Sequence, residues 1–155
     1  MNNKKTIPLD YANGVMYELE KAFWDERGRG ARFRMTTVGR KYYQDQVRPL
    51  LQSSELEHIL NTVQEVLQKD GITGQVTYDR DGRLLRVTVD NCIHRQVEER
   101  MTKNGIEPFT CVPANLIVLA IEEKLDRPVE LAEIKFDQSG CHLLLVLFDQ
   151  RPTLD

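Results

Sequence analysis

The chain has 155 residues, 41% of them hydrophobic and 29% charged, which suits one soluble domain able to bury a core without disulfides or metal. Its 21 basic and 24 acidic residues leave a formal charge of −3 and a pI near 5.7, which argues against a chain-wide electrostatic grip on nucleic acid or anionic membrane. The longest apolar run, Leu143 to Phe148, is six residues, far short of a membrane span, and no apolar stretch follows Lys4-Lys5, so no secretory signal is expected. Three cysteines cannot all pair, and they read as thiols of a reducing cytoplasm.

In chain order, a first helix is expected after Asp10, where Val15, Met16, Leu19, Ala22 and Phe23 follow the spacing of one buried stripe, stopped by Gly28 and Gly30. Ala31, Phe33 and Met35 alternate with Arg32, Arg34 and Thr36, as in a short edge strand or extended loop. A second helix is expected from Gly39 to about Leu51, bent or ended near Pro49. Ser54-Glu55-Leu56-Glu57 reads as a capping box opening a third helix. Its apolar face is Leu56, Ile59, Leu60, Val63, Val66 and Leu67, and Gly71 stands at the left-handed position after its end.

The hydrophobic period then changes to two. Val76 and Tyr78 lead into Asp81-Gly82, and Leu85, Val87 and Val89 follow, which predicts a hairpin on a type I′ turn. Asn91 to Asn104 is polar and reads as a short helix closed by Gly105. Pro113 to Leu125 is a helix apolar nearly all round at its start, suited to the core or an interface. Val129 to Phe136 and Cys141 to Phe148 read as two more strands, the last apolar on both faces and so central and covered on both sides. These elements define an α+β fold, a mostly antiparallel sheet of about four strands packed with about four to five helices. One domain, 1–155, is expected, with an N-terminal helix and basic segment over 1–38 and a core over 39–150.

Three sets of residues carry candidate chemistry. Cys92 and His94 follow a strand, Cys111 precedes the buried helix, and Cys141-His142 opens the last strand, so all could meet at one end of the sheet. Thiolates with imidazole suit zinc or an iron–sulfur cluster, but no CxxC pair is present and free cysteine also packs as a small hydrophobe. Arg27, Arg29, Arg32, Arg34, Arg40 and Lys41 crowd a stretch with no acid between Glu26 and Asp45. That segment fits a phosphate or nucleic-acid contact, an acidic face of a partner protein, or a solvated edge that repels strand pairing. Glu122-Glu123 and Asp79 with Asp81 are not spaced as a catalytic pair, and no serine has a nucleophile-elbow context, so an enzyme is the weaker class.

From Gly39 to Phe148 the order of features resembles the 4-vinyl-reductase-type domain, distantly shared with core subunits of the TRAPP tethering complex. The resemblance rests on Gly39-Arg40-Lys41-Tyr42-Tyr43, a hairpin ending in Asn91-Cys92, Pro108-Phe109-Thr110-Cys111 before a buried helix ending in Glu122-Glu123-Lys124-Leu125-Asp126-Arg127-Pro128-Val129, Glu133 on a strand, and Gly140-Cys141. It implies a small hydrophobic or tetrapyrrole-like ligand, in a pocket between helices and sheet near Cys92, Cys111 and Cys141 and lined by Leu116, Ile117 and Phe136. The cysteine layout is also similar to the sensor domain of iron–sulfur-sensing winged-helix repressors, which implies a redox sensor using Cys92, Cys111 and Cys141. Phe136 stands where that pattern often has another cysteine, so His94 or His142 would complete the set. Three readings follow: a dimeric small-molecule-binding or sensing module, a metal or iron–sulfur sensor, and a ligand-free scaffold docking through its basic segment.

Overall fold

The structure, a computed structural model, describes residues 5–33 and 37–149. Its strands β1 (Val76–Asp81), β2 (Leu84–Val89), β3 (Val129–Asp137) and β4 (Gly140–Leu147) form one antiparallel sheet in the order β1-β2-β4-β3. Five helices accompany it: α1 (Leu9–Arg27), α2 (Arg40–Tyr42), α3 (Leu56–Lys69), α4 (Arg95–Lys103) and α5 (Val112–Leu125). The fold is α+β. Among the described residues no helix is long and apolar enough to cross a membrane.

The main core follows the periodicities closely. Ile59, Leu60, Val63, Val66 and Leu67 of α3 join Leu116, Ile117 and Ile121 of α5 and the inward residues Leu85, Val87, Leu143, Leu145 and Leu147 of the sheet. Gly71, at φ 70°, ends α3 in a Schellman motif, with Ile72 N–H donating to Leu67 O at 2.9 Å and Gly71 N–H to Gln68 O at 3.0 Å. Gly105, at φ 71°, closes α4 through the same pair of bonds, from Ile106 to Met101 and from Gly105 to Thr102. Gly140 opens β4 at φ 136° because the backbone of β2 passes directly over it; an added Cβ would lie 2.5 Å from Val89 O.

Several expectations are corrected. The capping box at Ser54 does not form: Glu55 is the N-cap of α3 without a side-chain bond, and its N–H donates to Ser53 Oγ at 3.1 Å. The hairpin turns on Gly82-Arg83, with Asp81 paired to Leu84, and only Gly82 has positive φ, so the turn fits type II′ and not I′. The second helix is broken into α2, a π-type turn Tyr43–Val47 and a 3-10 turn Arg48–Leu50 that holds Pro49. Gly28–Phe33 is a 3-10 helix and not a strand, because Ala31 turns inward to full burial; Arg34 and Met35 lie outside the described residues. β4 is central, but beyond Gly140 only Cys141, Leu143, Leu145 and Leu147 are buried, while His142, Leu144 and Val146 on the opposite face are half-buried.

The correction with most consequence concerns α1. The helix forms, yet the stripe Val15–Leu19–Ala22 stays exposed, with Leu19 68% accessible. The face that turns inward carries Asn13, Tyr17, Glu20 and half-buried Trp24, at i, i+4, i+7 and i+11. Specific bonds decide the choice. Asn13 Nδ2 donates to Ile93 O at 2.7 Å, the Tyr17 ring lies 4.5 Å below the Arg100 guanidinium, and Trp24 stacks on Phe109 at 5.7 Å. Tyr17 joins Ala31, Val97, Met101, Ile106 and Phe109 in a second, smaller core, with Met16 and Phe23 packed at its margin.

Candidate ligand-binding site

The end of β2, the start of β4 and the N-terminus of α5 bring Cys92, Cys141 and Cys111 into one neighbourhood around Glu98 of α4, whose charge reaches all three thiols. Burial pushes Cys92 up to about 11, Cys141 up to about 12 and Cys111 well above the usual thiol range, and the Glu98 charge adds to each shift. The three are therefore neutral thiols near neutral pH, neither activated nucleophiles nor ready thiolates. His142 cannot join them, because adjacent residues in a strand face opposite ways and Cys141 faces the core. Among the described residues no three of His, Cys, Asp and Glu converge as metal ligands. Among the described residues these cysteines and histidines therefore do not form a ready-made zinc or iron–sulfur ligand set.

A groove of about 500 Å³ opens beside this cluster, between α1, α4 and the entry to α5. Its outer wall is the apolar stripe of α1, with Val15, Met16, Leu19 and Phe23; its inner wall is Val97, Glu98, Thr110, Cys111 and Val112, with Val38 and His94 at the sides. Asn13 uses its amide N–H on Ile93 O, so its Oδ1 must accept from His94 Nδ1, 3.3 Å away. That bond fixes the tautomer and leaves His94 Nε2 as an acceptor, and burial lowers the His94 pKa, so the ring is neutral.

Two carboxyl groups line the groove. Glu20 of α1 is 6% accessible and Glu98 of α4 is 5% accessible, and the Oε2 atom of each is buried with no hydrogen-bond partner among the described residues. Burial raises Glu20 to about 7; burial, with the Glu20 charge adding to it, raises Glu98 to about 8. The nearby cations of α4 are engaged elsewhere. Arg95 pairs with Glu99 at 2.9 Å and donates to Asp137 O at 2.7 Å, and Arg100 covers Tyr17. A buried acceptor without a partner costs about 1–3 kcal/mol, so two in the lining of one groove are a feature to be explained.

The other expected site residues are distributed differently. Leu116 and Ile117 are fully buried in the main core and line neither this groove nor a second cavity of about 660 Å³ beside edge strand β3. Phe136 lines that second cavity together with Trp24, Arg29 and Arg32, and Arg32 pairs with Glu130 at 3.3 Å. Arg27 is exposed at the end of α1, Arg40 is exposed on α2, and Lys41 pairs with Asp45 at 3.0 Å. Arg34 lies outside the described residues.

Two acid-bearing clusters are structural. Asp137 and Ser139 both approach His142 Nε2, at 3.1 Å each, while Nδ1 faces Thr88 Oγ1. A serine relay needs the carboxylate on the nitrogen opposite the hydroxyl; Ser139 shares Nε2 with Asp137 and so is not placed for one, and the hydroxyl opposite the carboxylate is that of Thr88. Burial works against ionising Glu123, but hydrogen bonds from Tyr43 and Arg48 outweigh it and hold the carboxyl below its usual range, so it serves as a tie between segments.

Composition and periodicity gave no sign of Glu20 or Glu98, which sit among other acids. The one available signal is that Glu20 shares a helical stripe with Asn13 and Tyr17. Set against protein-family models, curated proteins and solved structures, the chain matches none.

Proposed function

We propose that this protein is a non-catalytic small-molecule-binding or sensing module that takes a hydrophobic ligand in the groove between α1, α4 and the start of α5. The observation that carries the reading is an apolar helix stripe left facing an open groove whose lining, among the described residues, includes two carboxyls with buried, unpartnered oxygens, one on α1 and one on α4. Its volume of about 500 Å³ falls within the usual range of roughly 300–1,000 Å³ for ligand sites. The resemblance to 4-vinyl-reductase-type domains points to the same class of ligand. Of the cysteines, only Cys111 belongs to the groove wall. The groove lies apart from the Leu116–Ile117 region that the resemblance implied.

The test uses Nile red, a neutral dye that brightens in apolar surroundings. Wild-type protein should bind it saturably at one site. Ala12→Trp, which places an indole in the groove from half-buried Ala12 of α1, should abolish the signal while leaving the circular dichroism spectrum unchanged. Dye binding that is absent, or that survives Ala12→Trp in a folded protein, would overturn the assignment.

A further inference from the structure

The groove has a chemical sign as well as a shape. Among the described residues its lining contains no lysine, arginine or side-chain amide. The Glu20 and Glu98 carboxyls, once ionised, and the His94 ring, with its Nδ1–H committed to Asn13, present acceptors. A lining of hydrocarbon and acceptors complements a molecule of hydrocarbon and donors.

The arrangement of the two carboxyls narrows this further. They stand on different helices, α1 and α4, both line the groove, and the charge of Glu20 acts on Glu98. Each leaves Oε2 without a donor. A neutral hydrophobic ligand would leave both oxygens unpaired, and a carboxylate or sulfonate ligand would add a third negative group. A quaternary ammonium would bring charge but no N–H. A primary or secondary ammonium brings one positive charge and at least two N–H donors, one for each orphaned oxygen, and charge-assisted bonds of that kind are the stronger ones.

We propose that the ligand of this groove is an amphiphilic amine, its protonated nitrogen bridging Glu20 Oε2 and Glu98 Oε2 and its hydrocarbon body lying along Val15, Leu19 and Val97. This rests on the groove being the ligand site and adds the class of molecule it selects. Val15 and Leu19 are 40% and 68% accessible without a ligand, so the apolar body would cover surface that the fold itself leaves open.

The experiment is displacement of Nile red by decylamine and by decanol, which share a hydrocarbon chain and differ in the head group. The proteins are wild type and the double variant Glu20→Gln, Glu98→Gln. At about pH 9, with circular dichroism confirming that both proteins remain folded, both carboxyls have lost their protons and an alkylammonium keeps its own. Decylamine should displace the dye from wild type at least about tenfold more tightly than decanol, and the double variant should bring the two to parity. Decyltrimethylammonium, with charge but no N–H, should fall between them. Equal affinity of decanol and decylamine for wild type would overturn the amine assignment and leave the groove reading standing. So would an amine preference that persists in the double variant. Failure of every probe, Nile red included, would remove the groove reading and the amine with it. The two glutamines remove a buried charge and keep the shape, so the variant is expected to fold.

Discussion

Glu20 and Glu98 make stability depend on pH with a sign opposite to that of most carboxylates. Their folded values of about 7 and about 8 stand above the ordinary 4.5, so the folded state holds protons that the unfolded state releases. Their contribution is complete below about pH 4.5 and is lost as pH rises through 7 to 8. Converted at about 1.4 kcal/mol per pH unit, the loss is about 3 kcal/mol for Glu20 and about 5 kcal/mol for Glu98. Part of the second figure is their mutual repulsion, so the pair loses roughly 5–8 kcal/mol, a large share of a typical domain's stability. His94, lowered by burial, slopes the other way only as pH falls through its own range below 6.5, and the raised thiols add the same sign as the carboxyls only above 9. Thermal melts of the ligand-free protein should therefore fall by at least about 10 °C between about pH 5 and about pH 9. The Glu98→Gln variant should recover more than half of that fall and match wild type at the acid end. A flat wild-type profile, or a Glu98→Gln profile parallel to it, would refute the buried pair.

Three further outcomes follow from the packing. Gly140→Ala should cost about 3 kcal/mol or more in urea unfolding, since its Cβ would lie 2.5 Å from Val89 O and its φ is 136°; a cost under about 1 kcal/mol would mean the strands can part at that point. Leu19→Ser should leave stability within about 0.5 kcal/mol while weakening Nile red, whereas Tyr17→Ala should cost about 3–5 kcal/mol, and the reverse ranking would restore the apolar stripe as the buried face. At about pH 8 an aromatic disulfide reagent should label Cys92, Cys111 and Cys141 at least about tenfold more slowly in the native protein than in urea; prompt native labelling would show an ionised thiol in the cluster.

The legible parts of the fold were those set by hydrocarbon. α3, the hairpin, α5 and the two final strands could be read because an unbroken apolar face admits one inward orientation and Gly71 and Gly105 mark two helix ends. The turn of the hairpin was displaced by one residue because Asp81-Gly82 and Gly82-Arg83 both place glycine at a tight corner, and strand register, which sequence spacing does not fix, decides between them. The inward face of α1 was illegible for a different reason. Its docking depends on an amide reaching the carbonyl of Ile93 and on rings finding Arg100 and Phe109, and hydropathy assigns no value to such partners. The same blindness hid the site. Cys92, Cys111 and Cys141 draw attention as residue types, but the polar groups that mark the groove are two glutamates that resemble the chain's other acids, and only the packing of α1 against α4 brings them into one lining.

The division of the interior into a main core under the sheet and a smaller one beneath α1 has a kinetic corollary. Backbone amides should exchange with solvent deuterium in two tiers, those of α1 and α4 through a partial opening and those of β2, β4 and α5 only through global unfolding. The partial opening separates Glu20 from Glu98 and returns both to water, so its free energy should fall as the medium turns alkaline while that of the global reaction falls in parallel. A molecule held between the two carboxyls would slow exchange in the first tier, and would do so in the segment where the groove is assembled.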